Sequence, residues 1–350
     1  VVIESERIGT TLAQHQARVA QIASRALGTA EVAAEQLRAY AATAERGQRE
    51  TAVRQRKAIE TDVAHRTAHE REALARVLDP LERLPAAAAW DDLAWERAPL
   101  AGRPPELVRI GSARVPGAGG ELPLLTPAVG CGHLVVRAPE SHRADALGLV
   151  EAVALRVLAS LPPGHVRFRV HDPKGIGASL GGFGAFPAPQ VRRGLATTDA
   201  PDLRGVLEEL VDRSNEISAQ HLRGSYASLA DFLDDAGHGH VPYELVVLLD
   251  FPTAVDPDAG DLLGRLAATA ASRGTMLIVH EPERTRGGTR TELPQATVVQ
   301  GDERGAWHSS LLPAATFTLD PPAPAALVDA VARRPLPPPP PIAFEDLAGA

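Results

Sequence analysis

The chain has almost no cysteine: Cys131 stands alone. An internal disulfide is therefore excluded, and a reducing compartment, the cytoplasm, is the expected location. Long apolar runs are missing too. None approaches the ~20 residues that span a bilayer, so no transmembrane segment is expected. No signal-peptide pattern opens the chain. Lysine is limited to Lys57 and Lys174, the other basic residues being arginine, a bias of genome composition rather than chemistry. The net charge of −8 excludes a global electrostatic attraction to nucleic acid, so any DNA contact would need a local basic patch.

What is present, at 350 residues, is enough for two or three domains with a substantial core. From about Glu4 to Asp79 the chain is rich in Ala, Glu, Gln and Arg and free of proline. Ile8, Leu12, Val19, Ile22 and Leu27 recur at helical spacing, and sparser apolar positions follow. This predicts a helical arm over 1–80, as a coiled coil or helical hairpin, with Gly28 and Gly47 as bends or turns. Arg46, Arg49, Arg54, Arg56 and Lys57 read as a solvated face paired with Glu45, Glu50 and Glu60 rather than as a phosphate contact. Pro80 and Pro85 are expected to close the arm. A connector over 81–106 carries Trp90 and Trp95, which should pin it to the globular part.

From 107 to 334 strand and helix signals alternate. Extended pieces are read at 107–110, 122–125, 133–137, 166–170, 275–280, 296–299 and 316–319. Helices are read at 143–161, at 203–236 as one or two, and at 258–273. The pivotal stretch is Val241-Pro-Tyr-Glu-Leu-Val-Val-Leu-Leu-Asp-Phe-Pro252. Its five apolar residues, bounded by prolines, predict a strand buried on both faces with Asp250 at its carboxyl end. The order argues for an α/β fold, a doubly wound and mostly parallel sheet. A polyproline linker is read over 335–341. The chain opens at Val1 in mid-pattern and closes after that run, so it is expected to be a fragment of a longer protein.

Three places invite chemistry. A phosphate-binding turn reads G-x-x-x-x-G-K-[ST], so that backbone N–H groups wrap the phosphates and Lys reaches the outer ones. After strand 133–137 the chain instead reads Ala138, Pro139, Glu140, Ser141, His142, Arg143. It has no glycine and no lysine, Pro139 lacks an N–H, and Glu140 and Asp145 would repel a triphosphate. Ser141 is a candidate helix N-cap. The Gly-rich stretch from Asp172 to Gly184 could cradle an anion beside Lys174, but lacks the full spacing and reads as a flexible sheet-edge loop. Asp250 is followed by Phe251, where hydrolysis needs a second acid to align water. Cys131, His133, His142, His171, His238 and His240 lack zinc-like spacing, and no metal site is expected.

Several segments together resemble the FtsK/SpoIIIE family of DNA-translocating ATPases. Val166-Arg-Phe-Arg-Val-His-Asp-Pro-Lys-Gly175 is similar to its second core strand. Pro242 to Asp250 is similar to its metal-side strand, and Leu262 to Val279 to the following helix and strand, with His280-Glu-Pro in place of the usual Thr-Gln sensor. Gln220 to Phe232 and the exit ending Phe344-Glu-Asp-Leu347 resemble large bacterial members that have an amino-terminal coiled coil and tandem motor domains, the first degenerate. The resemblance implies a P-loop ATPase-like domain over 107–334 and a linker over 335–350 leading to an intact motor domain. It implies ATP and magnesium for that motor domain but no cofactor for this chain, with Asp250 a vestigial metal-side position. It also implies self-association through the coil and the α/β domain, and DNA as a partner of the full-length protein. The expected role is a pseudo-ATPase scaffolding and assembly module of a DNA translocase. An adaptor that recruits partners through the arm is the alternative, and a third reading keeps hydrolysis through Lys174 and Asp250.

Overall fold

A computed structural model describes residues 2–82, 84–92, 95, 100, 102–114, 121–175, 178–187, 191–283 and 291–335. All but the first residue of the polyproline run, and the Phe344 to Leu347 exit, lie outside these residues. The chain divides into two compact units, residues 1–72 and 73–350.

The first unit lies within α1 (Val2–Glu82), one continuous helix of 81 residues whose last turns belong to the second unit. Gly28 and Gly47 do not break it. The expected hairpin is thereby corrected: each glycine costs only ~1 kcal/mol, and the alanine-rich sequence, with i,i+4 pairs from residue 45 to 60, carries the helix through. Those pairs are Arg49–Glu45, Arg54–Glu50 and Arg56–Glu60, at 2.7, 3.8 and 2.8 Å. Pro80 does not close the helix either. It removes one backbone bond and crowds the preceding turn, and the helix stops within a turn of it.

The second unit is built on a ten-stranded sheet: β1 (Leu107–Arg114), β2 (Glu121–Pro127), β3 (His133–Ala138), β4 (Val166–His171), β5 (Val191–Thr197), β6 (Tyr243–Leu248), β7 (Thr275–Pro282), β8 (Ala296–Gly301), β9 (Trp307–Ser309) and β10 (Leu312–Leu319). The spatial order is β2-β1-β10-β9-β8-β3-β7-β6-β4-β5. From β8 to β5 every pairing is parallel; from β8 outward to β2 every pairing is antiparallel. The antiparallel wing, and strands β5 and β9, were not expected from the sequence. Gly111 is required at the β1 bulge: its φ is +156°, and a Cβ there would lie 2.2 Å from the Thr318 carbonyl oxygen.

Helices cover both faces of the parallel part. α2 (Arg143–Ser160) and α4 (Leu229–Ala236) pack on one face, and α3 (Ala200–Ile217) and α5 (Pro257–Ala267) on the other. The predicted 203–236 helix is therefore two, separated by a π-helical turn at Ser218–Leu222. The predicted 258–273 helix ends at Ala267 and is followed by a 3-10 turn at Ala271–Arg273. A last helix, α6 (Ala325–Ala332), joins the α2 side through Val328 and Val331. All six residues of β6 are buried, because Leu245 and Val247 feed one core and Val246 and Leu248 the other. The central strand was thus legible in its apolar run.

The connector is held by Arg156 of α2, which is fully buried. Its guanidinium donates to the carbonyls of Pro85 and Ala88 and to Asp320 Oδ2 at 2.7 Å, and lies 4.0 Å from the Trp90 ring centre. Burial pushes its pKa down to about 10, against the pull of Asp320. The Trp90 indole donates to the Pro321 carbonyl, and Trp95 is buried beside it.

Candidate functional site

Ligands of open α/β sheets sit beyond the carboxyl ends of the parallel strands, where crossovers diverge to opposite faces. Here the ends of β3, β4, β6 and β7 bring together Glu140, Arg143, Lys174, Asp250 and His280. The sequence named the first four as site candidates and His280 only as part of the segment replacing the family's sensor; it did not pair Arg143 with Asp250.

After β3, Pro139 opens a 3-10 turn (Glu140–His142) closed by the His142 N–H on the Pro139 carbonyl. α2 follows directly from Arg143. Its N-cap is His142, with no side-chain cap bond, so Ser141 is not the cap. The 3-10 turn moves the cap position one residue on. His142 Nδ1 lies 3.0 Å from Asp145 Oδ2, and that bond raises the imidazole pKa.

Being the first residue of α2 aims Arg143 across β7 toward the end of β6. Its Nε and Nη2 donate to the two oxygens of Asp250 at 2.9 and 2.6 Å, a bidentate fork. Asp250 is fully buried. Burial alone would raise its carboxyl pKa, but Arg143, with help from Lys174, outweighs that and holds it below the usual range. Its backbone is left-handed, φ +53°, a conformation that Asp tolerates better than most residues. The Asp250 N–H donates to His280 Nδ1 at 3.2 Å, and the Phe251 N–H to the His280 carbonyl at 2.9 Å.

His280 must therefore be neutral, with Nδ1 as acceptor. Its Nδ1 also lies 3.7 Å from Asp250 Oδ1, but this is no ion pair, because the ring is already accepting the Asp250 N–H. Burial pushes the imidazole pKa down to about 4, more than Asp250 pulls it up. His133 follows the same pattern, accepting the Leu277 N–H at Nδ1, and is depressed by burial. These are core histidines rather than ligands. His171 pairs with Thr197 instead, and Cys131 is exposed.

Lys174, after β4, does not face an open anion cradle. It contacts Glu140 at 3.2 Å and Asp250 at 3.3 Å. Those two carboxylates raise its pKa against the opposing effect of burial. The loop carrying it leads from β4 to the edge strand β5. Buried Asp172 accepts from the Gly175 N–H at 2.9 Å, the Ser179 N–H at 3.0 Å and the Ser179 hydroxyl at 3.1 Å. Farther along, Phe183 is buried against Phe168 and Phe186. Residues 176 and 177 lie outside the described part.

The four charged groups in mutual contact thus cancel: Arg143 and Lys174 against Asp250 and Glu140. A magnesium triphosphate does not fit this arrangement. Both Asp250 oxygens are taken by Arg143, Lys174 is shared between carboxylates, Pro139 offers no N–H and Glu140 presents negative charge. Glu281, the next residue of β7, is likewise engaged, by Arg137 at 2.8 Å and by the Thr291 N–H at 3.1 Å.

No protein-family profile matches the chain, and no curated protein matches it. Solved structures do. EssC (ATPases 2 and 3) from Geobacillus thermodenitrificans is similar over 76% of this chain and 56% of its own, with TM-score 0.55 and 13% identity. The conjugation coupling protein TcpA of pCW3, solved with ATPγS, is similar over 71% of this chain and 74% of its own, with TM-score 0.50 and 12% identity. The chain therefore spans little more than half the length of the first of these. At such identities the likeness is one of fold alone: an α/β domain of the kind seen in these two structures.

Proposed function

We propose that the α/β unit is an ATPase-fold module closed to nucleotide from within. On this reading it serves as a scaffolding and assembly part of an FtsK/SpoIIIE-like, ATP-dependent DNA translocase. The observation that carries it is the Arg143 fork on Asp250. A carboxylate at the end of the central strand is useful to a motor only if free to organise a metal ion, and here an internal cation holds both its oxygens. ATP hydrolysis then belongs to another domain of the assembly, and Lys174 works as a strut between Glu140 and Asp250.

Isothermal titration of magnesium ATP into the intact chain tests this. No heat of binding is expected up to millimolar nucleotide, and an affinity in the micromolar range would overturn the reading. Should any hydrolysis be found, Lys174→Ala must abolish it for the catalytic alternative to stand.

The exposed apolar residues of α1 favour a second reading, an adaptor that recruits partners through its arm. Deleting residues 1–72 would then abolish partner capture while leaving the α/β unit folded. Loss of assembly by the α/β unit itself on the same deletion is not expected from a pure adaptor.

A further inference from the structure

At the amino ends of β4 and β6, the edge of the sheet opposite the candidate site, a second cluster of titratable groups has no part in the function proposed above. Three elements meet there: His165 just before β4, the turn from Gly237 to His240 before β6, and residues 102–106 of the connector. The His165 carbonyl accepts the Tyr243 N–H at 2.8 Å, which ties this residue to the mouth of β6. The turn lies against its imidazole. A Cβ at Gly239 would come within 2.8 Å of His165 Nε2, and Gly239 has φ +98°, so glycine alone lets the backbone approach this closely. The connector meets the turn in the same way: a Cβ at Gly102 would lie 2.6 Å from His238 Cδ2. Glycine backbone and imidazole thus pair twice, Gly239 with His165 and Gly102 with His238.

Charge fastens the contact. Asp234 of α4 accepts from Arg103 Nη1 at 2.8 Å and lies 3.2 Å from His238 Nε2. Arg103 also contacts Glu106 at 3.6 Å. The remaining titratable groups of the elements packed here are Cys131, Asp231 and Tyr243, with His240 exposed on the turn. His165 is hydrogen-bonded to the Gly102 backbone. Its Nδ1 is buried and finds no partner among the described residues, and neither does Nδ1 of His238. A neutral His165 leaves only a bare lone pair at that atom. Protonation would put an N–H there without an acceptor. It would also set a positive charge beside His238, whose carboxylate partner is already shared with Arg103. Burial and His238 accordingly hold the His165 pKa below its ordinary 6.5, against the pull of the Gly102 backbone.

We propose that His165 works a proton-sensitive latch: neutral, it lets residues 102–106 dock on the turn 237–240, and protonated, it releases them. The sign follows from linkage. The docked form binds the proton more weakly than the open one, so docking is complete above pH 6.5 and is lost as the pH falls below it. Arg156 holds residues 85–88 by separate contacts, so the end of the connector next to β1 opens while the other end stays fixed. The latch is independent of the closure of the site to nucleotide, and the magnesium ATP titration does not bear on it.

Hydrogen–deuterium exchange of the intact chain at pH 7.5 and 5.0, corrected for intrinsic rates, tests this. Exchange at such a contact reports local opening rather than global unfolding. Peptides covering 102–107 and 237–243 should lose protection several-fold at the lower pH. His165→Gln keeps an N–H donor for Gly102 but does not titrate, and should abolish that loss. His240→Gln, at an exposed neighbour, should leave the loss as in the native chain. Gly102→Ala, which wedges the connector off the His238 ring without touching the core, should show the open pattern at both pH values. Equal protection of the native chain at the two pH values would overturn the latch. So would the same loss in His165→Gln, or a pH dependence that persists in Gly102→Ala.

Discussion

Helices α1 and α2 are both rich in alanine and carry comparable side chains, yet they meet opposite environments. In α1 the arginines form i,i+4 pairs in water, and Val19, Leu37 and Val53 are more than half exposed. In α2 almost every residue from Leu149 to Ser160 is buried, including Arg156, whose charge is matched by Asp320 and backbone carbonyls. Arg156 thereby holds a connector, a helix and a strand end together. The same chemical pair thus carries different weight according to what surrounds it. An exposed pair is worth little, while losing one partner of a buried pair strands a charge.

The largest test of that contrast is Arg156→Ala against Arg54→Ala. The first should lower unfolding free energy by about 3 kcal/mol, because the carbonyls of Pro85 and Ala88 are left unpaired, while Arg109 still holds Asp320 at 3.0 Å. The second should leave the urea midpoint of the α/β unit unchanged. Equal effects would break the comparison. Arg143→Ala comes next, at about 2 kcal/mol, less than a fully stranded charge because Lys174 remains on Asp250.

Acid sharpens the contrast further. The folded pKa of His280, about 4, lies below its ordinary 6.5, so the unfolded chain binds this proton first. Stability is therefore greatest above pH 6.5 and falls as the pH drops toward 4, by on the order of 3 kcal/mol over the window. His133 and His171 add to the loss in the same direction. Asp250 acts lower: its depressed carboxyl keeps its contribution until the pH falls below the ordinary carboxylate value. Urea midpoints at pH 7 and 4.5 measure this. His280→Asn, which keeps an acceptor for the Asp250 N–H, should flatten the pH dependence. The smallest effect belongs to α1: raising salt to 1 M should leave its helical circular dichroism unchanged, since its ion pairs are solvent-screened.

Much of the parallel half of the sheet was legible because its signals are local. The run Leu245–Leu249 between Pro242 and Pro252 specified a two-face-buried strand without reference to anything distant. The antiparallel wing was harder, since β9 has only three residues and β1 departs from regular pairing at Gly111. The arm's helicity was readable from composition, but its continuity through Gly28 and Gly47 was not, because a ~1 kcal/mol penalty is small against 81 residues of helix. At the site, the missing glycines and lysine were plain in Pro139-Glu140-Ser141. The Arg143–Asp250 fork was not, because it joins residues 107 positions apart, and only the fold shows that the first residue of α2 reaches the end of β6. Glu244, buried within the same apolar strand, is matched by Arg169 of neighbouring β4, whose Nε donates to it at 3.0 Å across 75 residues of sequence.

The account rests on Asp250 being held by the chain's own cation rather than by a nucleotide's. The most direct test is the melting temperature of the intact chain with and without 5 mM magnesium ATP. A ligand at a hundred times its dissociation constant stabilises by about 2.7 kcal/mol, so even modest binding would be visible. No change in melting temperature is expected; a rise of several degrees that disappears on substituting Asp250 would contradict the account.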